Sequence, residues 1–243
     1  MLREGIKEIQ IISQDTTRYG TDLYEGETKL IELLEAIDTT IDAFVDETEI
    51  TESPTYRVYY LYPDILTLDH LSKLSRLKHL LPYFDIPFQH ASEKVLKLMG
   101  RHYDRAHIDS FIEYIRDNFA HSFIRTSFII GFPGEGDEDF ETLMEFNRKY
   151  RFESVGIFQY HDEPLAASSK LPNKVDESIA KSRIKDITVL LEEVYAEKRA
   201  ERLKKTQYGY IMEVKDATVT IRPELHAPEV DEYDEIVIKK ISA

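Results

Sequence analysis

The chain has 243 residues, 42% of them hydrophobic and 32% charged, a composition that suits one substantial buried core. It contains no cysteine, which excludes disulfides, thiolate nucleophiles and cysteine-ligated iron–sulfur clusters. The formal charge of −15 opposes nonspecific nucleic-acid binding and favours a basic protein as partner. Because no apolar run approaches the roughly 20 residues of a membrane span and no apolar leader is visible, we expect a cytoplasmic protein.

Short apolar segments rich in β-branched residues predict five buried strands, at residues 8–13, 56–62, 83–88, 124–130 and 154–160. Helical patterns separate them, at residues 67–81, 92–99, 105–119 and 137–150. This alternation predicts an α/β fold with a parallel sheet, wound as an incomplete barrel or as an open doubly wound sheet. We favour the barrel, because the chain has no strong glycine motif of a nucleotide-binding open sheet.

Each predicted strand is followed by polar or glycine-containing residues, at positions 14–16, 63–64, 89–90, 131–135 and 161–162. The carboxyl ends of parallel strands meet at one rim, so we expect a functional site there. Gln89 and His90 offer an amide and an imidazole, which suit a polar ligand. Arg125, within an apolar strand, needs an anionic partner: Asp15 or Asp85 of the protein, or a ligand carboxylate.

The C-terminal third has a different pattern. Residues 176–205 predict a long charged amphipathic helix. Alternating runs at 208–214, 218–221 and 235–241 then predict a small β appendage. We therefore divide the chain into residues 1–205 and 206–243.

Several phrases resemble the methylthiotransferase branch of radical S-adenosylmethionine (SAM) enzymes, and within it the group that modifies a ribosomal protein. They are SQDTTRYG at 13–20, YFDIPFQHASEKVLKLMGR at 83–101, RTSFIIGFPGE at 125–135 and HAPEVD at 226–231. The resemblance implies an incomplete radical-SAM-type (β/α) barrel over residues 1–205 and an abbreviated TRAM-like β-domain over 206–243. It also implies SAM, [4Fe-4S] clusters and methylthiolation of an aspartate of ribosomal protein uS12 on the small ribosomal subunit.

Carried over residue by residue, the resemblance implies a cofactor-binding set of Gln14, Asp15, Gln89, Arg125, Gly131, Glu135, Phe158 and Tyr160. It leaves the catalytic residues unknown and assigns no metal ligand. The chain departs from the family pattern in having no cysteine to hold a cluster, so it is catalytically incomplete as given. Residues 39–55 also depart from it and are interpreted as an insertion or a divergent loop.

Alternative functions remain open from the sequence. The acidic charge and the absent cysteines favour a noncatalytic module that binds a basic ribosomal protein. A relative that modifies tRNA is a further possibility within the same branch. A third hypothesis is an enzyme without a cluster, which uses His90, Asp15 and Glu135 for acid–base or metal-assisted chemistry.

Overall fold

The structure is a computed structural model that describes residues 2–48 and 50–237. It divides into two compact units, Met1–Val194 and Tyr195–Ala243. No helix in the described ranges is long and apolar enough to cross a membrane.

The first unit is built on a sheet of five parallel strands. They are β1 (Glu8–Ile11), β2 (Thr55–Val58), β3 (Leu80–Asp85), β4 (Phe123–Ile130) and β5 (Ser154–Gln159). Their spatial order is the order of the chain, with every neighbouring pair parallel. A doubly wound sheet reverses its strand order at a switch point, whereas a (β/α) barrel adds each strand beside the preceding one. The incomplete barrel is therefore confirmed.

Within residues 2–48 and 50–237, six α-helices follow the strands or lie between them. They are α1 (Leu30–Thr48), α2 (Leu68–Leu74), α3 (Glu93–Leu98), α4 (Arg105–Asn118), α5 (Asp137–Tyr150) and α6 (Glu177–Arg202). The helix predicted over 67–81 is wrong beyond its first half, because the chain turns there and Leu80 begins β3. Interpreting residues 39–55 as a loop is also wrong, since α1 continues to Thr48 and β2 begins at Thr55.

The two faces of the sheet differ in burial. Along β4, Ile124, Thr126, Phe128 and Ile130 are buried, whereas the alternate residues Arg125, Ser127 and Ile129 are only half-buried. The buried face packs on the helices: Phe128 lies 6.1 Å, between ring centroids, from Phe146 of α5. The other face is the inner face of the incomplete barrel. Because side chains alternate along a strand, Arg125 and Ser127 of β4 both point to this inner face.

The second unit contains an antiparallel sheet in the order β6 (Gly209–Lys215), β7 (Thr218–Pro223) and β8 (Asp234–Val237). This confirms strands in the three predicted regions, although residues 238–241 of the last one lie outside the described residues. Arg222 of β7 is buried; its guanidinium donates to the His226 carbonyl at 2.7 Å and covers the Tyr210 ring at 4.4 Å. Arg202 donates to both carboxylate oxygens of Asp234 at 3.0 Å.

Candidate functional site at the carboxyl ends of the strands

The loop after β1 contains Gln14 and Asp15, two of the residues expected at a ligand. Gln14 is exposed. The Asp15 carboxylate turns back into its own loop, where it accepts hydrogen bonds from the Thr17 hydroxyl and from Arg18 Nε, the latter at 2.9 Å. The loop is tied to the next strand by the Thr16 amide, which donates to the Tyr60 carbonyl at 3.3 Å. These two residues form one side of the rim.

Arg125 pairs with Asp85 across neighbouring strands. The two residues are register partners, and Arg125 Nη1 donates to Asp85 Oδ1 at 2.9 Å. Asp85 is buried and its second oxygen accepts the Tyr60 amide at 3.2 Å. Of the two protein carboxylates expected as partners, the structure therefore selects Asp85 over Asp15. The Arg125 side chain remains 25% exposed on the inner face, where its guanidinium can also meet an anionic ligand.

The amino-terminal part of the inner face is filled by an ion pair that the sequence reasoning missed. Arg57 of β2 is fully buried, donates through Nε to Glu8 Oε1 at 2.8 Å and covers the Tyr83 ring at 4.9 Å. Tyr59 donates to the Gln10 side chain at 3.0 Å. The sequence does contain a signal for this ion pair, because polar residues occur at every second position of two apolar strands. These buried contacts fill part of the inner face between β1, β2 and β3.

Gln89 is held in a conformation that residues other than glycine rarely adopt. Its φ is +70°, and its backbone bridges β4: its amide donates to the Ser127 carbonyl at 2.9 Å and its carbonyl accepts from the Ile129 amide at 2.9 Å. Such a conformation costs about 1–3 kcal/mol and is typical of ligand sites. An open cavity of about 330 Å³ lies beside it, lined among others by Met99, Arg101 and Phe132.

The Gly131 turn requires glycine for two reasons. Its φ is +81°, and a Cβ atom there would lie 2.8 Å from the Ala180 Cβ. Its amide donates to Glu135 Oε2 at 2.8 Å, while Arg183 Nη1 donates to Glu135 Oε1 at 2.7 Å. Glu135 is thus a buried acceptor that shapes the turn from behind, with both of its oxygens bonded to the protein.

His90 is fully buried behind the same turn. The Ser92 amide donates to its Nδ1 at 2.9 Å, so the ring proton lies on Nε2, 3.7 Å from Glu135 Oε2. Asp15 lies in a loop of its own and is not among the ligand atoms that gather here. Of the described residues, a three-member group with metal-ligand spacing is formed by Asp38, Asp42 and His79, elsewhere in the fold. The structure therefore does not bring His90, Asp15 and Glu135 together as one ligand set.

Phe158 and Tyr160 extend the site along β5. Phe158 pairs in register with Ile129 and is 56% exposed. The Tyr160 amide donates to the Ile130 carbonyl at 2.8 Å, and its hydroxyl bonds Ser168 Oγ at 3.1 Å. Its ring meets Phe132 at 5.2 Å between centroids. Phe132 and Ser168 both line the cavity, so Tyr160 packs behind two of its lining residues.

A sequentially wound, incomplete parallel barrel with an open cavity at its carboxyl rim is the architecture of a radical SAM domain, and residues 2–146 match the family model for the Radical SAM superfamily. The chain belongs to this superfamily. Ribosomal protein uS12 methylthiotransferase RimO of Thermotoga petrophila is 37% identical over 232 residues, 95% of this chain and 51% of that protein. The protein of the same name from Thermosipho africanus is 39% identical over 234 residues, 95% of this chain and 51% of its own length. The chain thus spans about half the length of the curated relatives it matches.

Among solved structures, the chain resembles coproporphyrinogen III oxidase HemN from Escherichia coli, described as a radical SAM enzyme. The TM-score is 0.53 at 15% identity, and the match covers 66% of this chain and 37% of that one. At this identity the likeness shows the fold alone.

The family implies SAM and [4Fe-4S] clusters, and the two fit this chain differently. The cavity beside Gln89 has the size and mixed lining of a small-molecule site: a backbone that a ligand can approach closely, an aromatic wall and polar groups. Clusters of this type are held by cysteine thiolates, and this sequence provides none. No residue set of this chain fits the cluster.

Proposed function

We propose that this chain is the barrel and C-terminal β portion of a uS12 methylthiotransferase of the RimO type and that it binds SAM at the carboxyl rim. The observation that carries the proposal is the cavity beside Gln89, in a chain that resembles RimO along 95% of its length. Phe132, which follows Gly131 in its turn, also lines this cavity, and Tyr160 contacts two of the lining residues, Phe132 and Ser168. In this family SAM supplies hydrogen abstraction once an iron–sulfur cluster has reduced it. A chain without cysteine is proposed to bind SAM without turning it over.

The expected cofactor-binding residues have different roles in this proposal. Gln89 lines the cavity and contacts the ligand, whereas Tyr160 supports the lining residues Phe132 and Ser168 from behind. Gly131 allows the tight turn that leads into Phe132. Arg125 and Phe158 lie on β4 and β5 of the same sheet, where Arg125 suits the carboxylate of the amino-acid end of SAM. Glu135 keeps the turn in shape from behind. Gln14 and Asp15 belong to the rim loop that faces these residues.

The test is calorimetric titration of SAM into the 243-residue chain and into a variant with a blocked cavity. Ala167 is exposed and lines the cavity, so Ala167→Trp fills it without disturbing the core. Ala43→Trp, on the exposed side of α1, is the matched control. We expect SAM affinity at least tenfold weaker in Ala167→Trp and unchanged in Ala43→Trp. No binding to the wild-type chain, or equal binding to both variants, would refute the proposed pocket.

The proposed partner is ribosomal protein uS12, a substrate named for the relatives, which also implies action in the cytoplasm. Acidic residues are concentrated in residues 21–53, and α1 exposes Glu32, Glu35 and Asp46 to solvent. An acidic surface speeds encounter with a basic protein and discriminates against nucleic acid. Purified uS12 is expected to be retained at 50 mM salt and released at high salt. Glu35→Lys with Asp46→Lys is expected to weaken retention, and Glu141→Lys on α5 is the control.

A noncatalytic binding module is the second candidate, favoured specifically by the absence of cysteine. It predicts uS12 binding that is independent of SAM. Retention of uS12 by the Ala167→Trp variant supports it, whereas a requirement for SAM in uS12 binding supports the methylthiotransferase proposal.

For the domain organisation we propose a barrel over residues 1–205 and an abbreviated TRAM-like β-domain over 206–243. What supports it is the position of all three antiparallel strands after Gly209, beyond the end of α6 at Arg202. Limited trypsin digestion is expected to cut first at Lys204 or Lys205, between these elements. First cleavage within β6 or β7 would contradict this boundary.

A further inference from the structure

A serine, a histidine and an aspartate are linked by hydrogen bonds at the amino-terminal ends of the strands, on the side of the sheet opposite the rim cavity. Ser53 precedes β2, His79 precedes β3 and Asp42 lies on α1. Ser53 Oγ lies 2.9 Å from His79 Nδ1, and His79 Nε2 lies 3.0 Å from Asp42 Oδ1. Three separate elements thus supply one continuous relay.

Charge on Asp42 fixes the proton positions in this relay. Lys78 Nζ, at 2.6 Å, and the His79 ring donate to the Asp42 carboxylate and hold its pKa below the usual range. The Asp42 carboxylate is an acceptor, and the His79 ring donates to it from Nε2. Its other nitrogen, Nδ1, is then an acceptor and takes the hydrogen bond from the Ser53 hydroxyl. These are the roles of orienting group, base and nucleophile.

The base is fixed while the nucleophile is accessible. The His79 side chain is 9% exposed. Its amide donates to Asp38 Oδ1 at 2.9 Å and its carbonyl accepts from the Tyr56 amide at 2.9 Å. Ser53, in contrast, is exposed on its loop. A base held by backbone on both sides and a hydroxyl open to solvent are the arrangement that attack on an external electrophile requires.

The same neighbourhood fits a metal ion less well. Asp38, Asp42 and His79 have ligand atoms within 4.8 Å of one another. However, the Asp38 oxygens accept the backbone amides of Lys78 and His79 at 3.1 and 2.9 Å. The Lys78 ammonium already forms an ion pair with the Asp42 carboxylate. A cation would have to displace that ammonium from Asp42. The serine site, in contrast, requires no change in the hydrogen bonds of Asp42, His79 and Ser53.

We propose that Ser53, His79 and Asp42 form a nucleophilic serine site that accepts an acyl group from small activated esters, independently of the rim cavity. Ser53 Oγ forms a bond to the carbonyl carbon as its proton passes to His79 Nδ1. The ester C–O bond then breaks, and the leaving alkoxide takes that proton. Water, deprotonated by the same nitrogen, cleaves the acyl–Ser53 ester and restores the hydroxyl. No oxidant, reductant or cofactor is needed. Because Ser53 is exposed on its loop, small aryl esters are the substrate class that we expect to reach it.

The first test is covalent labelling of the full chain with a fluorophosphonate probe, which forms a stable phosphonyl ester at activated serines. Peptide mapping by mass spectrometry is expected to place the adduct at Ser53. The matched control residue is Ser75, an exposed serine whose hydroxyl donates to the Ser72 carbonyl and has no histidine partner. An adduct at Ser75 as fast as at Ser53, or no adduct at Ser53, would overturn the proposal.

Variants then test whether His79 and Asp42 activate Ser53 or whether Ser53 reacts only because it is exposed. Ser53→Ala is expected to abolish both labelling at this site and hydrolysis of p-nitrophenyl acetate above the Ser75→Ala background. His79→Gln is expected to slow labelling of Ser53 by about 100-fold, the lower range for loss of a general base. Asp42→Asn, which leaves the ring in place, is expected to slow it by at least about tenfold through loss of ring orientation. Thermal unfolding checks that each variant is folded. Labelling of Ser53 at the wild-type rate in a folded Asp42→Asn chain would refute the relay.

Discussion

Removal of the Arg183 guanidinium is predicted to destabilise the first unit strongly. Arg183 is 7% exposed at the side chain, and its partner Glu135 is 0% exposed. In Arg183→Leu the buried Glu135 carboxylate keeps the Gly131 amide and the His90 ring, whose Nε2 lies 3.7 Å away, but loses its guanidinium partner. Loss of one partner of a buried ion pair costs about 3–5 kcal/mol. In a chain of this size that corresponds to a fall in Tm of about 6–20 °C.

Substitutions of the two carboxylates that Arg183 contacts are expected to cost less stability than Arg183→Leu. Glu135→Gln keeps an oxygen for the Gly131 amide, and Arg183 retains Asp137 Oδ1 at 2.7 Å, so this change is expected to cost only about 1–3 kcal/mol. Asp137→Asn affects a fully exposed carboxylate and is expected to leave stability close to that of wild type. Glu135→Gln combined with Arg183→Leu is expected to cost less than Arg183→Leu plus Glu135→Gln taken separately, because no charge is left buried.

Urea unfolding followed by far-ultraviolet circular dichroism measures these differences, since the chain has no tryptophan. Arg148→Leu is the control, because Arg148 forms an exposed pair with Glu141 on α5. A free energy of unfolding for Arg183→Leu within about 1 kcal/mol of wild type would refute the reasoning. Equal losses in Arg183→Leu and Asp137→Asn would refute it as well.

Three other outcomes are expected. Gly131→Ala should lower the urea midpoint more than Gly100→Ala. Both glycines have positive φ, but of the two only Gly131 would bring a Cβ within 2.8 Å of another atom. Equal losses would show that this contact does not affect stability. Burial raises the pKa of Asp139, but hydrogen bonds from Lys94 and Ser92 outweigh burial, so the net pKa is lowered. The stability that Asp139 contributes is therefore present above about pH 4 and is lost as pH falls through the lowered pKa. Thermal unfolding should show the Asp139→Asn deficit at pH 7 shrinking towards pH 2, and a constant deficit would contradict this. Burial lowers the pKa of His226 despite its hydrogen bond to the Glu232 carbonyl, so the second unit should lose stability as pH falls below about 6.5. Amide hydrogen exchange in β7, corrected for the intrinsic rate at each pH, should reveal that loss in wild type but not in His226→Gln.

Local patterns were enough to predict most of the fold. The helix predicted at 137–150 coincides with α5, where acidic residues occupy the first turn and apolar residues recur at helical spacing. The strand predicted at 124–130 differs from β4 by one residue. In contrast, α1 was missed because its many acidic residues obscured the spacing of the buried Leu30, Leu34 and Ile41. In α1 the helical spacing of the apolar residues is the informative signal, and the acidic residues between them are not.

The candidate site was less accessible to sequence reasoning because its geometry depends on tertiary register. That Arg125 needed an anion followed from its apolar surroundings, but the choice of Asp85 depends on the alignment of β3 with β4. The role of Glu135 depends on Arg183, which is 48 residues away in the chain. The positive φ of Gln89 has no signal in the sequence, because glutamine is not a residue that predicts it. The cofactor roles of these residues stay predictions until ligand binding is measured.

The sequential order of the parallel strands has a consequence for how the nascent chain folds. Each strand from β3 onward can dock on the strand made just before it, so contact order stays moderate for a parallel sheet. The connection from β1 to β2, which contains α1, is the longest of the four, and closing a longer loop costs more entropy. Assembly is therefore expected to start among β2 to β5 and to add β1 last. Substitutions that weaken α1 packing would then speed unfolding with little effect on the folding rate.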